Sequence, residues 1–251
     1  MTRTALVTGG SRGLGRAAAL ALAAAGTDVV VTYVTDRTSA DEVVAQIAAT
    51  GARAAALPLD TTSPAQFAAF TSALRTVLDG WGESGLDVLV NNAGVAGHTP
   101  FGSITADAVD ALYAIHVRGP VLLTQAVAPV LRDGGHVVNV STGLTRFTGG
   151  GPYSVYASMK GAVEVWTRYL AKELGPRGIA VNTVAPGATA TDFGGGVIRD
   201  DERYRAMIAG ASAMGRVGEP DDIGRVVATI TAPSMAWVTG QRIEASGGQS
   251  L

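Results

Sequence analysis

The sequence predicts an α/β fold of the doubly wound kind: a single domain with a seven-stranded parallel sheet flanked by helices on both faces. Three observations lead there. Short β-branched runs alternate with longer Ala/Leu-rich segments of helical period, the pattern of repeated βαβ units. The strand runs are nearly unbroken in apolar character, as in Val29-Val30-Val31 and Val137-Val138-Asn139-Val140, which suits strands covered on both faces. The chain's 251 residues, 47% hydrophobic and 16% charged, are enough for one domain with a large core.

Taken in order, the first strand is Thr4 to Thr8, followed by an Ala/Leu helix from Leu14 to Ala25. The second pair is Asp28 to Tyr33 and Ser39 to Thr50, and the third is Arg53 to Pro58 and Pro64 to Leu78, where a proline suits the first helical position. A fourth strand, Asp87 to Val90, leads to a long helix from Ala106 to Leu131. The strand His136 to Ser141 precedes a helix from Tyr153 to Gly175, and Ile179 to Val184 forms the sixth strand. A helix from Pro220 to Thr231 and a strand from Arg242 to Glu244 complete the set. Ala188 to Gly218 breaks the rhythm with Gly194-Gly195-Gly196 and the charged run Arg199 to Arg205, so it reads as a mobile, substrate-covering excursion. No proline- or serine-rich linker divides the chain, and residues 1–251 are expected to form one domain.

The 19 basic and 21 acidic residues give a net charge of -2, which offers no electrostatic footprint for nucleic acid or an anionic membrane and favours a small-molecule partner. With no cysteine there is no disulfide, thiolate nucleophile or cysteine-ligated metal, and no metal site is expected. Met1-Thr2-Arg3 runs straight into the first strand without a signal-peptide core, and no apolar stretch is long enough to span a bilayer, so a cytoplasmic enzyme is expected.

The segment Thr8-Gly9-Gly10-Ser11-Arg12-Gly13-Leu14-Gly15 links the first strand to the first helix. Glycines at 9, 13 and 15 permit a sharp turn, close approach of a pyrophosphate and tight helix packing, while the helix N-terminus attracts negative charge. Elsewhere such glycines serve ordinary turns; the strand-turn-helix context gives them a dinucleotide reading. Near the chain's middle, Tyr156 and Lys160 are four residues apart and share one helix face. Alone they would read as a surface pair. Hydride transfer to a carbonyl needs a proton donor and a hydrogen bond at the oxygen, and a phenol beside an ammonium that lowers its pKa supplies the donor.

The spacing TGxxxGxG, Asp60, Asn91-Asn92-Ala93-Gly94, Ser141, the Tyr156/Lys160 pair, and Pro186-Gly187 followed by Thr191 together resemble the single-domain short-chain dehydrogenase/reductase family, a Rossmann fold, from Thr4 to about Gly248. Each motif follows a strand's C-terminal end, where ligands sit in open parallel sheets. The resemblance implies a coenzyme on Gly9, Ser11, Arg12, Gly13, Leu14 and Gly15, with Asp60 and Thr61 at the adenine. Asn91, Ala93 and Gly94 would lie on the adenosine side, and Pro186, Gly187, Thr189 and Thr191 at the nicotinamide. It also implies Tyr156 as proton donor, Lys160 on the nicotinamide ribose, Ser141 on the substrate oxygen, and a homotetramer.

The chain departs from the family pattern twice. His116 stands where a relay asparagine is usual: its backbone carbonyl keeps the contact in a distorted helix, its imidazole joins the relay by titrating near neutrality, or it is an ordinary packed helix histidine. The stretch between Ser141 and Tyr156 is longer than usual and contains Gly149-Gly150-Gly151-Pro152, which reshapes the pocket mouth. Thr142, Gly143, Leu144, Phe147, Tyr153 and Phe193 are the substrate-side candidates, with loop packing the other reading of Leu144, Phe147 and Tyr153. Phe193, Val197, Met207 and Met214 suggest an apolar ligand, while His98 and His136 read as ordinary loop and strand histidines.

NADP(H) is expected over NAD(H), which stays possible. The second strand ends in neutral Tyr33 rather than the acid that holds a ribose 2′-hydroxyl, and Arg12 and Arg37 are placed to meet a 2′-phosphate. Asp36 is the rival acid, but Thr35-Asp36 suits a turn or helix cap. The expected activity interconverts a ketone and a secondary alcohol. A 3-oxoacyl-[acyl-carrier-protein] reductase, with Arg132 and Lys172 toward an acidic carrier, and a nucleotide-sensing regulator are the alternatives.

Overall fold

The computed structural model describes residues 2–149 and 151–251; Met1 and Gly150, the latter in the glycine-rich insertion, lie outside the described residues. The strands are β1 (Arg3–Val7), β2 (Thr27–Tyr33), β3 (Ala54–Pro58), β4 (Leu86–Asn91), β5 (Leu131–Val140), β6 (Ala180–Pro186) and β7 (Arg242–Ala245). They form one seven-stranded sheet in the order β3-β2-β1-β4-β5-β6-β7, with every pairing parallel. The order reverses direction between β1 and β4, the switch point beyond whose C-terminal strand ends doubly wound sheets bind their ligands.

Alternation along each strand divides the core in two. Ala5, Val7, Val29, Val31, Val88, Val90 and Val138 face α1 (Gly13–Ala24), α2 (Arg37–Ala48) and the C-terminal helix Pro220–Ile230. Leu6, Val30, Leu89 and Val137 point the other way, onto α3 (Phe67–Gly80) and later helices through Phe67, Leu74, Leu123 and Leu170.

The expected helix from Ala106 to Leu131 is three pieces: α4 (Ala106–Tyr113), a widened π-type turn (Ala114–Arg118) and α5 (Gly119–Val127), followed by a short 3-10 turn at Ala128–Val130. Pro129 cannot continue a helix because it lacks the N–H and clashes with the preceding turn. β5 then starts at Leu131 rather than His136, since Leu131 pairs with Leu86 before the register breaks and resumes at Val88 and His136. Gly134 in that stretch takes φ 76°, a left-handed conformation that suits glycine.

After α6 (Ser154–Leu174), the 188–218 segment is not featureless. It holds a glycine turn (Phe193–Gly196), α7 (Val197–Asp200) and α8 (Glu202–Gly210), with Ala190, Ile208 and Val217 forming their own small cluster. The last helix is α9 (Pro220–Ile230). No helix among the described residues is long and apolar enough to cross a membrane.

Candidate active site

The turn after β1 is braced from β4. Asn92 donates from Nδ2 to the carbonyls of Thr8 (2.9 Å) and Gly9 (3.2 Å), and Thr8 Oγ1 accepts from the amides of Asn92 and Ala93. Gly9 and Gly13 have φ of +62° and +54°. A Cβ on Gly15 would fall 2.2 Å from the Gly9 carbonyl oxygen, so only glycine lets the helix start there. Arg12, the residue before α1, makes no side-chain cap, leaving the first-turn amides to an external acceptor. This glycine cradle and bare helix terminus fit a dinucleotide pyrophosphate.

Other expected coenzyme contacts are placed less uniformly. Tyr33 ends β2 as expected, and Asp36 caps α2 by accepting from the Ser39 amide (2.9 Å) and hydroxyl (2.6 Å), consistent with the cap reading. Arg37 lies on α2, paired with Asp41 at 3.3 Å, whereas Arg12 reaches Asp192 at 2.7 Å. The Asp60 carboxylate accepts from the amide and hydroxyl of Thr62 in a tight turn, and the Thr61 carbonyl packs against Gly119.

Asn91 turns its side chain into the fold, donating to Thr124 Oγ1 (2.9 Å) and Asn139 Oδ1 (2.8 Å), so a contact with an adenosine on this side would fall to its backbone. Asn92, which the sequence reading passed over, is the residue that shapes the turn; its place beside Asn91 in the motif was the available signal. On the other side, Thr189 Oγ1 donates to the Gly187 carbonyl, Thr191 Oγ1 accepts from the Phe193 amide, and Pro186 is buried at the end of β6.

Tyr156 and Lys160 lie one turn apart on α6, both buried, with Lys160 Nζ 6.0 Å from the centre of the phenol ring. Nζ donates to the Val140 carbonyl at 2.7 Å. The buried Ser141 hydroxyl, at the end of β5, donates to Glu164 Oε1 at 2.7 Å. Burial pulls Lys160 down to about 8 and pushes Tyr156 up to about 12, against a smaller downward pull from the hydrogen bond with Thr142. The expected lowering of the phenol by the ammonium is not seen; desolvation disfavours the charged form of each group. At neutral pH Tyr156 is a phenol with a proton to give.

His116 sits in the π-type turn with its ring edge-on to Tyr156, centroids 5.2 Å apart. Nε2 lies 2.9 Å from the Val95 carbonyl, which only accepts, so Nε2 carries the proton. Nδ1 is buried without a partner among the described residues. Burial, with Lys160 adding to it, lowers the imidazole to about 3. This corrects the expectation that it titrates near neutrality, while the widened turn agrees with a distorted helix. Gly94 is required beside it, since a Cβ there would meet His116 Cε1 at 2.8 Å.

Above the phenol stands an aromatic wall. Tyr153 contacts Tyr156 edge-on at 6.5 Å and His98 at 6.0 Å, and Phe193 lies 6.1 Å from Tyr156. His98 thus packs on Tyr153 rather than on the phenol itself. Phe147 packs under Arg146 and against Gly143, and Leu144 lies beside Gly149, so each has the loop contact of its second reading. Thr142 caps the turn that begins at Gly143 by accepting from the Leu144 amide at 3.3 Å. Ser11 and Leu14 remain half-buried in the glycine turn, with Leu14 against the core. No cluster of three metal-ligating side chains occurs among the described residues.

Comparison with known proteins shows the family. A family model described as enoyl-(acyl carrier protein) reductase matches residues 9–250. The promiscuous reductase LugOII, which catalyses keto-reduction at C1 during lugdunomycin biosynthesis, is 40% identical with a TM-score of 0.93, over 99% of this chain and 98% of its own. The angucycline C-6 ketoreductase LanV, solved with bound NADP, is 36% identical with a TM-score of 0.91, over 99% and 95%. A hydroxynaphthalene reductase-like protein of Metarhizium brunneum is 36% identical over 98% of this chain and 94% of its own. The chain belongs to the short-chain dehydrogenase/reductase family and is an NAD(P)-dependent oxidoreductase acting on CH–OH and C=O groups.

Proposed function

We propose that the chain is an NADPH-dependent ketoreductase for a planar, polycyclic aromatic ketone. The observation that carries this reading is the buried, protonated Tyr156 phenol beneath a wall formed by His98, Tyr153 and Phe193. Flat rings suit such a wall because aromatic faces and edges stack favourably. The relatives add support, since their names specify angucycline and hydroxynaphthalene chemistry.

When bound, the nicotinamide coenzyme supplies a hydride to the carbonyl carbon. The glycines at 9, 13 and 15 and the start of α1 hold its pyrophosphate, and Thr189 and Thr191 border its nicotinamide end. Tyr156 gives its proton to the carbonyl oxygen as negative charge develops there. Lys160 keeps a positive charge beside the resulting phenolate, and Ser141 orients the substrate oxygen. His116 remains neutral and fixes the floor under Tyr156. Arg12 exchanges Asp192 for a 2′-phosphate, which binds a guanidinium through paired hydrogen bonds. Tyr33 offers no opposing charge, and Arg37 would be a second candidate for the same phosphate.

Assembly as a homotetramer belongs to this reading, because Val165 and Tyr169 on the outer face of α6, and Trp237, are uncovered apolar groups. Sedimentation tests it. The function is tested by following NADPH absorbance with polycyclic aromatic ketones, small aliphatic ketones and carrier-linked 3-oxoacyl and enoyl thioesters. Turnover favouring the aromatic ketones is expected. Preference for a carrier-linked thioester would replace this substrate class, and absence of turnover with every carbonyl would favour a sensing role.

A further inference from the structure

Tyr156, Lys160 and Glu164 are spaced by four residues along α6 and form one stripe aimed at the end of β5. The first two have roles in the reaction; Glu164 has none so far. Its Oε1 accepts three hydrogen bonds: from the Ser141 hydroxyl at 2.7 Å, the Thr145 hydroxyl at 2.7 Å and Arg242 Nε at 2.9 Å. The carboxylate is 13% exposed. Arg242, on β7, also donates to the Thr142 carbonyl at 3.2 Å and Thr145 Oγ1 at 3.1 Å, and pairs with Glu244 at 3.0 Å. Glu244 is held in turn by Arg146 at 2.6 Å. The acid is therefore a fixed post, tied by charge to a strand and a loop outside its own helix.

A serine hydroxyl has one hydrogen and two lone pairs. With its hydrogen on Glu164, the orientation of Ser141 is fixed by a charge-assisted bond, roughly twice as strong as one between neutral groups. We propose that Glu164 is the positioning residue for Ser141: it selects the serine's rotamer, so that the hydroxyl, turning about its Cβ–Oγ bond, passes its single hydrogen from the carboxylate to the substrate oxygen. Thr145 and Arg242 keep the carboxylate from following the serine when the pocket fills. This inference rests on the ketoreductase reading, in which Ser141 contacts the substrate oxygen.

The test is a double-mutant cycle between Glu164 and Ser141, read as kcat for NADPH-dependent reduction of the best aromatic ketone. Fluorescence titration with NADPH serves as the measure of a folded coenzyme site. Glu164→Ala is expected to lower kcat about 10- to 100-fold, the scale of a misplaced reacting group, with NADPH affinity unchanged. Glu164→Gln, which keeps shape and an acceptor oxygen, is expected to recover most of that loss and covers the case in which the alanine variant does not fold. In a Ser141→Ala background both substitutions should change kcat by no more than about twofold, because the residue they act through is gone. Equal loss in both backgrounds would reveal a merely structural role, and wild-type turnover in Glu164→Ala would overturn the proposal outright. If Ser141→Ala alone turns over normally, the assignment of Ser141 fails and takes Glu164 with it. That outcome separates an error in the reaction scheme from an error about its support.

Discussion

His116→Asn tests whether the imidazole beneath Tyr156 is a structural or a reacting group, and the structure sets the size of the effect. The folded protein holds the histidine at about 3, against 6.5 in an unfolded chain. An unfolded chain therefore takes up a proton first, so the neutral histidine's contribution to stability is complete above about pH 6.5 and is lost as pH falls toward the folded value. Between about pH 7 and about pH 5 the loss from one such group is about 2 kcal/mol, from 2.303RT times the pH interval below the unfolded pKa. His136, buried at the other edge of the sheet and lowered to about 4, loses about the same amount over this interval and remains in the variant. Urea unfolding followed by tryptophan fluorescence at the two pH values should therefore show a pH dependence shallower by about 2 kcal/mol in His116→Asn than in the wild type. Turnover should stay within a few-fold, with an unchanged pH profile near neutrality. An identical pH dependence of stability would refute the buried-neutral assignment. A collapse of kcat would show that the imidazole takes part in proton transfer.

The other predictions concern the coenzyme and the proton donor. Tyr156→Phe removes only the acidic hydroxyl, so kcat should fall by on the order of 10²-fold or more while a fluorescence titration still shows NADPH binding; near-wild-type turnover would exclude the phenol as donor. Arg12→Ala should lower kcat/KM for NADPH by about 10- to 100-fold, the scale of a hydrogen bond to a charged group, and leave NADH nearly unaffected. A native preference for NADH, or an unchanged NADPH value in the variant, would contradict the 2′-phosphate assignment.

Much of the fold and part of the candidate site were legible because local chemistry specifies them. Val29-Val30-Val31 needs cover on both faces wherever it lies, and Gly9, Gly13 and Gly15 mark a turn where a side chain would be strained by the left-handed backbone at 9 and 13 or would clash at 15. Tyr156 and Lys160 share a face through helix geometry alone, and the same count extended by four would have reached Glu164. The π-type turn left no mark in the apolar period across Leu112, Ala114, Leu123 and Val127, and only the family pattern at His116 pointed to a distorted helix there. The early start of β5 was hidden because Arg132-Asp133-Gly134-Gly135 reads as a turn when its pairing with β4 is not known. Asn91 and Asn92 are chemically identical, and only the sheet decides which points inward and which toward Gly9. The rise of the Tyr156 pKa comes from burial by several separate elements, which no spacing records.

The contact between Arg12 and Asp192 joins the glycine turn to the segment that spans 188–218. With the guanidinium 73% and the carboxylate 36% exposed, the pair contributes under about 1 kcal/mol, so a phosphate displaces the acid at little cost. On the coenzyme assignment given above, NADPH and this segment compete for one guanidinium. Any aromatic ketone that draws Asp192 away therefore tightens NADPH by the same factor by which NADPH favours the ketone, a reciprocity required by thermodynamics and limited here to about fivefold. NADH has no 2′-phosphate and leaves that guanidinium with Asp192. The two coenzymes would thus differ in their cooperation with substrate as well as in affinity.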